Sequence, residues 1–287
     1  MKFENTWTGN WRNAFHGLRH PYESYDRSDS DFMLIQPYGD EDLEVTASWL
    51  AKEYPELEEG SNEWVDKSVE RSDWMMKNGV IQYDTNNDIA ECAFLGPNDI
   101  DLAQRMIKAG SPNDKFLRQI FVSVDITAPL YWWKEMDTYK VATVANSTST
   151  MHKLASTPIT LDCFEMDDFT NYLILEEEEN PFMITINNRI GVNSMSMATI
   201  NDKIGIFIEF LENLRQKYLK TKDIRYWKEL IRWLPEGWLQ TRTWTANYAT
   251  LRGIYHWRKN HKLIEWHQFC DWIKTLPYGN ELLVFEN

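Results

Sequence analysis

Phe121-Val122-Ser123-Val124-Asp125-Ile126, followed at once by Thr127-Ala128-Pro129-Leu130, is the stretch on which the fold turns. The first six residues alternate apolar and polar, which predicts a half-buried strand. Pro129 has no N–H to lose at a helix start, so it predicts a helix from Leu130 to about Tyr139. Upstream, Asn98 or Asp99 can cap a helix whose face carries Ile100, Ala103, Met106 and Ile107. Lys108 and Gly110 close it. Downstream, Thr143 to His152 reads Thr-Val-Ala-Asn-Ser-Thr-Ser-Thr-Met-His, too polar for a core. It is expected to be a loop that hydrogen-bonds to itself or to a ligand.

Further out, the pattern is mostly helical. Residues 1–38 are aromatic and polar, with a dense cluster from Gly17 to Ser30 in which Pro21 stops any helix. Residues 39–75 are acidic, with Leu43, Ala47 and Leu50 at helical spacing. Residues 157–200 are weakly patterned, and Glu176 to Glu179 suit a solvated face or loop. Ile204, Phe207, Ile208, Leu211 and Leu214 mark a helix from Ile200 to Tyr218, and Ile224 to Trp233 marks another, stopped by Leu234-Pro235. Gln240 to Trp257 and Leu263 to Leu276 read as two more helices. Many helices with few strands favour an α+β fold.

The chain of 287 residues carries a net charge of −14, a poor balance for gripping a nucleic-acid backbone, which needs many Lys and Arg. A local basic pocket for one small anion is still compatible with it. No segment approaches the ~20 apolar residues that span a bilayer, and no apolar run follows the N-terminus as in a signal peptide. Cys92, Cys163 and Cys270 are far apart and form no CxxC pair, which fits three half-buried thiols in a reducing cytosol. The six histidines lack acidic or thiol partners at matching spacing, so no metal is expected. P-loop, GxGxxG, HExxH and GxSxG motifs are absent.

The order helix, strand, proline-led helix, hydroxyl-rich turn and, much later, a helix bearing Asn and Arg resembles the flavin-dependent thymidylate synthases, the ThyX family. Three stretches carry the resemblance. Asp99 to His152 is similar to the family's elements that lead into its signature RHR-x-x-S-x-N-E-x-S-x-R-Y. Leu234-Pro235 through Thr245-x-Asn247-x-x-x-Leu251 resembles its LP, T and N-x-R-S-L run. Arg258 to Phe269 sits where the family has its L-R…A-Q-x-E-I-R helix. About half of the chain is covered, and segments near 39–90 and 157–200 look like insertions into a single domain spanning residues 1–287. On this alignment R-H-R falls on Thr138, Tyr139 and Lys140, and the first Ser on Thr143. Asn146 and Ser149 match after a one-residue insertion, Ser147 replaces Glu, and Met151-His152 replaces Arg-Tyr. Asn247 matches, Ala249 replaces Arg, and Arg252 and Arg258 are the cations available nearby.

The resemblance implies a helix-rich fold with a small antiparallel-containing sheet. It also implies a pyrimidine nucleotide such as dUMP, FAD as cofactor, folate and NADPH as further cofactors, one-carbon or methyl transfer, and a cytoplasmic homotetramer. Guanidinium forks serve such ligands by pairing bidentately with phosphate and with a developing oxyanion. The alternative is a protein that keeps the fold and binds or sequesters a nucleotide without catalysis. A third reading is an interaction protein whose aromatics serve an oligomer interface.

The residues themselves nominate the candidates, none of which is assigned a catalytic step. Lys140, Asn146, Ser147, Thr148, Ser149, Thr150 and His152 form a donor-rich turn able to hold a phosphate or base edge. The same hydroxyls would equally satisfy local backbone in a capped loop. Arg19 is a phosphate partner or a surface salt bridge. Glu135 is an acid or ligand, or a solvated carboxylate. Lys134 and Arg118 are placed to line the same pocket. Tyr131, Trp132 and Trp133 stack on a ring or fill the core. Tyr139, Asn247, Arg252 and Arg258 complete the set by resemblance.

Overall fold

The computed structural model describes residues 1–35, 50–84, 89–166 and 200–286. Strand β1 spans Lys2–Gly9, helix α1 Trp11–Arg19, β2 Asp31–Ile35, α2 Asn62–Asn78, β3 Val80–Asp84, β4 Ile89–Phe94 and α3 Pro97–Ala109. Then follow β5 (Phe121–Pro129), α4 (Leu130–Met136), β6 (Val144–Ser147) and α5 (Thr150–Ser156). Helices α6 (Ile200–Thr221) and α7 (Ile224–Arg232) lead to β7 (Leu239–Asn247), α8 (Tyr248–Arg258) and α9 (Ile264–Thr275). The fold is helix-rich α+β. Four strands are hydrogen-bonded in the order β1-β5-β7-β6 and three in the order β2-β4-β3. The smaller sheet is antiparallel, with Asp31 opposite Phe94 and Val80 opposite Ala93. No helix among the described residues is long and apolar enough to cross a membrane.

Two compact units divide the chain. The first comprises Met1–Ile126, Tyr139–Asn146 and Thr243–Asn287. Its core is aromatic: Trp11 meets Tyr248 edge-on at 5.1 Å, Phe15 meets Phe116 at 5.8 Å, and Trp266 meets Phe269 at 5.9 Å. The second comprises Thr127–Thr138 and Ser147–Arg242. Leu154, Ile159, Phe164, Ile208, Leu211, Leu230 and Trp238 form its core.

The alternation in β5 has the expected effect, because Val122, Val124, Ile126 and Ala128 are buried while Ser123, Asp125 and Thr127 are half-buried. Phe121 points outward, 44% exposed. The outward hydroxyls meet those of β7, as Thr245 Oγ1 donates to Ser123 Oγ at 3.1 Å and Thr127 and Thr241 bond at 2.7 Å. Helix α3 starts at Pro97, but neither Asn98 nor Asp99 caps it. The carboxylate of Asp29 accepts from the N–H groups of both, at 2.9 and 3.1 Å. The preceding residue must be glycine, since a Cβ on Gly96 would lie 2.2 Å from the Asp29 carboxyl carbon.

Other expectations need correction. Residues 240–247 are strand, because Gln240, Trp244 and Ala246 turn inward with threonines at alternate positions, a period of two that a helix cannot satisfy. Helix α4 stops at Met136. Both the N–H and the Oγ1 of Thr138 bond to the Glu135 carbonyl and close the last turn. The stretch 143–152 is not a loop but the exposed strand β6 followed by the start of α5. Segment 39–90 contributes α2, β3 and part of β4. Leu50 is buried, whereas Leu43, Ala47 and Glu176 to Glu179 lie outside the described residues.

Candidate functional site

In the first unit, the structure joins Tyr139 to Arg258, which are 119 residues apart. The Arg258 Nε donates to the Tyr139 hydroxyl at 2.6 Å. The guanidinium carbon lies 4.5 Å from the ring centre of the fully buried Trp266 and 5.5 Å from that of Tyr139, cation–π distances. Tyr139 also stacks on Trp257, with centroids 6.0 Å apart and planes 15° apart. Trp257 is 71% exposed. The position arises because α8 ends at Arg258, so its last turn presents Trp257 outward while α9 supplies Trp266 from below. Lys140, next to Tyr139, is exposed, and Thr143 Oγ1 donates to the Tyr139 carbonyl. The cluster offers an exposed indole joined through the Tyr139 ring to an oriented cation, a surface that suits a planar, electron-poor or anionic ligand.

Arg252 lies one turn and a half earlier on α8 and is buried. Its Nη1 donates to the carbonyls of Leu283 and Phe285, at 2.8 and 3.1 Å, and its guanidinium lies over the Phe285 ring. It therefore binds the C-terminal segment to α8. A cavity of about 540 Å³ beside it is lined by Asp114, Ala249, Arg252, Gly253, His256 and Glu286. Burial lowers the pKa of His256 below its ordinary value, and the charges of Arg252 and Lys259 lower it further. Asn247 is the N-cap of α8, its Oδ1 accepting from Thr250 N at 2.9 Å. Arg19 is committed to Asp99, with Nε and Nη2 at 2.7 and 2.6 Å from one carboxylate oxygen, in a buried pair. Arg118 is exposed and donates to Ser111 Oγ at 3.2 Å.

The second unit holds the rest. Lys134 pairs with Glu236 at 2.5 Å on the surface, and Glu135 is half-buried on α4. Trp132 and Trp133 are fully buried. Ser149 caps α5 and also bonds His152 Nδ1 at 2.7 Å. Thr148 Oγ1 donates to the Thr241 carbonyl, and Thr150 Oγ1 accepts from Gln240 Nε2 at 2.9 Å. The hydroxyls of 148–150 thus serve backbone groups, one histidine and one glutamine. Ser147 in this unit and Asn146 in the first are both exposed residues of β6.

Sequence reasoning missed Arg242. Its Nε donates to Gln240 Oε1 at 2.9 Å and its Nη1 to Asp137 Oδ1 at 2.7 Å, and its guanidinium lies 4.2 Å from the Trp133 ring centre. The signal was available: a lone cation among alternating threonines is conspicuous in a strand, but not in the helix that was expected there. Among the described residues, no group of three or more His, Cys, Asp or Glu is placed to hold a metal ion.

No protein-family profile and no curated protein matches the chain. Among solved structures, the chain is similar to the flavin-dependent thymidylate synthase ThyX from Helicobacter pylori complexed with FAD and dUMP. The two are 15% identical, with 75% of this chain and 90% of that chain covered and a TM-score of 0.42. A second structure, Thymidylate Synthase X from Helicobacter pylori with FAD and dUMP, is 16% identical, with 75% and 89% covered and a TM-score of 0.42.

Proposed function

We propose that this chain is a ThyX-like protein that binds a pyrimidine nucleotide at the Tyr139–Arg258 cluster, with FAD as its redox cofactor. The observation that carries the reading is the Arg258 Nε to Tyr139 hydroxyl bond, which fixes a guanidinium on the tyrosine that stacks against the exposed Trp257. Both Tyr139 and Arg258 lie in stretches that carry the sequence resemblance. A uracil or flavin ring can stack on Trp257, while Arg258 and the exposed Lys140 face its negative charge. The cluster fits a planar ring better than a pyrophosphate, because Arg252 already serves two backbone carbonyls. A bound flavin would supply the electron-transfer chemistry. The chain's own part is to stack the ring, orient it by the tyrosine-held guanidinium, and screen charge at the ligand's oxygens. Folate and NADPH are the further cofactors of this reading, with transfer of a one-carbon unit or methyl group to dUMP.

The second reading is a nucleotide-binding protein without catalysis. Ala249 favours it, standing where the resemblance calls for an arginine. We further propose a single functional domain with insertions, a homotetramer, and a cytosolic location, consistent with free thiols at Cys92, Cys163 and Cys270.

The deciding experiment is an absorbance spectrum of the purified chain, followed by titration with FAD and dUMP. Trp257→Ala should weaken ring binding by about 1–3 kcal/mol, the usual worth of a base on an aromatic face. Arg258→Ala should weaken dUMP binding by about 1.5–3 kcal/mol, the range for a hydrogen bond to a charged group. A chain that binds neither flavin nor any pyrimidine nucleotide at millimolar ligand defeats the proposal. Binding of dUMP without flavin, and with no dTMP formed from a folate donor, selects the second reading.

A further inference from the structure

His16 and His20 stand four residues apart on one face at the end of α1, and both are exposed. His20 follows the last helical residue but keeps helical angles, φ −52° and ψ −44°, so the i, i+4 alignment is retained. Their ring centroids are 4.8 Å apart. Tyr25, from the next turn of chain, lies against both. Its ring stacks on His16 at 4.7 Å and 18°, and its hydroxyl bonds His20 Nδ1.

We propose that His16 and His20 form a two-imidazole site for a divalent transition metal of the nickel and copper class, with Tyr25 as its positioning residue. A metal about 2.0–2.1 Å from each Nε2 lies roughly 3.2 Å from each ring centroid. Two such rings are then about 4.5 Å apart at a 90° ligand angle and about 5.2 Å apart at a tetrahedral one. The observed 4.8 Å falls between the two. His20 keeps its Nδ1 bond to Tyr25, and the exposed His16 ring turns about χ2, giving up its stack on Tyr25, to bring its Nε2 to the same point without disturbing the helix. Tyr25 prepares the ligand: with the Nδ1–H of His20 donating to the phenol oxygen, the Nε2 lone pair is left for the metal. Water completes the coordination, as expected for a site of two residues at a surface. Glu23 and Asp26 in the same turn, and the chain's net charge of −14, favour cation approach. The site shares no residue with the Tyr139–Arg258 cluster, so its test is independent of the nucleotide reading.

The test is calorimetric titration of the untagged full chain with Ni²⁺ alone, together with NMR mapping of paramagnetic broadening. One saturable Ni²⁺ per chain at micromolar concentration is expected, with broadening centred on His16, His20 and Tyr25. His16→Ala and His20→Ala should each weaken uptake at least tenfold. Tyr25→Phe should keep the stoichiometry and weaken uptake about threefold. Absence of saturable uptake overturns the proposal, as does uptake that survives both histidine variants, or broadening centred elsewhere. If a variant fails to fold, the broadening map of the unaltered chain decides.

Discussion

Replacing Arg19 by leucine should destabilise the first unit by about 3–5 kcal/mol, the cost of stranding one member of a buried ion pair. The side chains of Arg19 and Asp99 are only 6% and 0% exposed. Asp99 accepts from Arg19 Nε, lies 2.6 Å from Arg19 Nη2 as an ion pair, and accepts from Ser28 Oγ at 2.6 Å and from Ser30 N at 3.2 Å, so its charge is oriented from several sides. Removing Arg19 leaves a carboxylate with two neutral donors and no counter-charge. Asp99→Leu should cost a similar amount, because the guanidinium then keeps only the Ser24 carbonyl among these partners, at 3.4 Å. The double variant should be destabilised by less than the sum of the two singles, with a coupling of at least about 2 kcal/mol, since neither charge is then stranded. Against a typical total of about 5–15 kcal/mol, each single change removes a large fraction of the stability. Urea unfolding followed by tryptophan fluorescence gives the totals, and amide exchange in α1 and α3 gives the local effect. Singles below about 1 kcal/mol, or strictly additive singles, would refute the reasoning and return Arg19 to the list of available anion partners.

Three further expectations follow from the same geometry. Arg215 holds the Glu212 carboxyl at about 2, well below its ordinary value, and the Ile159 N–H and Gln216 add to this. The stability it carries is therefore full above about 4.5 and lost as pH falls toward 2. Glu212→Gln should flatten that acid limb in pH-dependent urea melts, and an unchanged limb would contradict the assignment. Burial and the charges of Arg252 and Lys259 lower the His256 pKa, so NMR titration should place its midpoint below the ordinary 6.5, with its contribution to stability full above 6.5 and lost as pH drops through that folded value. A midpoint at or above 6.5 would count against the burial argument. Burial pushes the thiols of Cys92 and Cys270 up to about 11. An aromatic disulfide reagent should therefore modify half-buried Cys163 first and the other two only on unfolding, as read by mass spectrometry.

The sequence by itself determined what depends on near neighbours. The alternation of Phe121 to Ile126, the proline-led start of α4, the apolar stripe of Ile204 to Leu214 and the stop at Leu234-Pro235 are short-range patterns with periods set by backbone geometry. They sufficed for a helix-rich α+β class. They failed at residues 240–247, where alternating threonines were read as part of a helix, and at α3, whose cap comes from Asp29, about 70 residues upstream in the chain. Only the tertiary structure decided which cations are already engaged. Arg19, Arg242 and Arg252 look equivalent in a string of letters, yet a buried carboxylate, a glutamine with an aspartate, and two backbone carbonyls respectively hold them. The Tyr139–Arg258 bond is invisible in sequence for the same reason. A side chain's availability is set by partners brought close through packing, and the loop-closure entropy that opposes such contacts grows so slowly with separation that distance along the chain says little about which ones form.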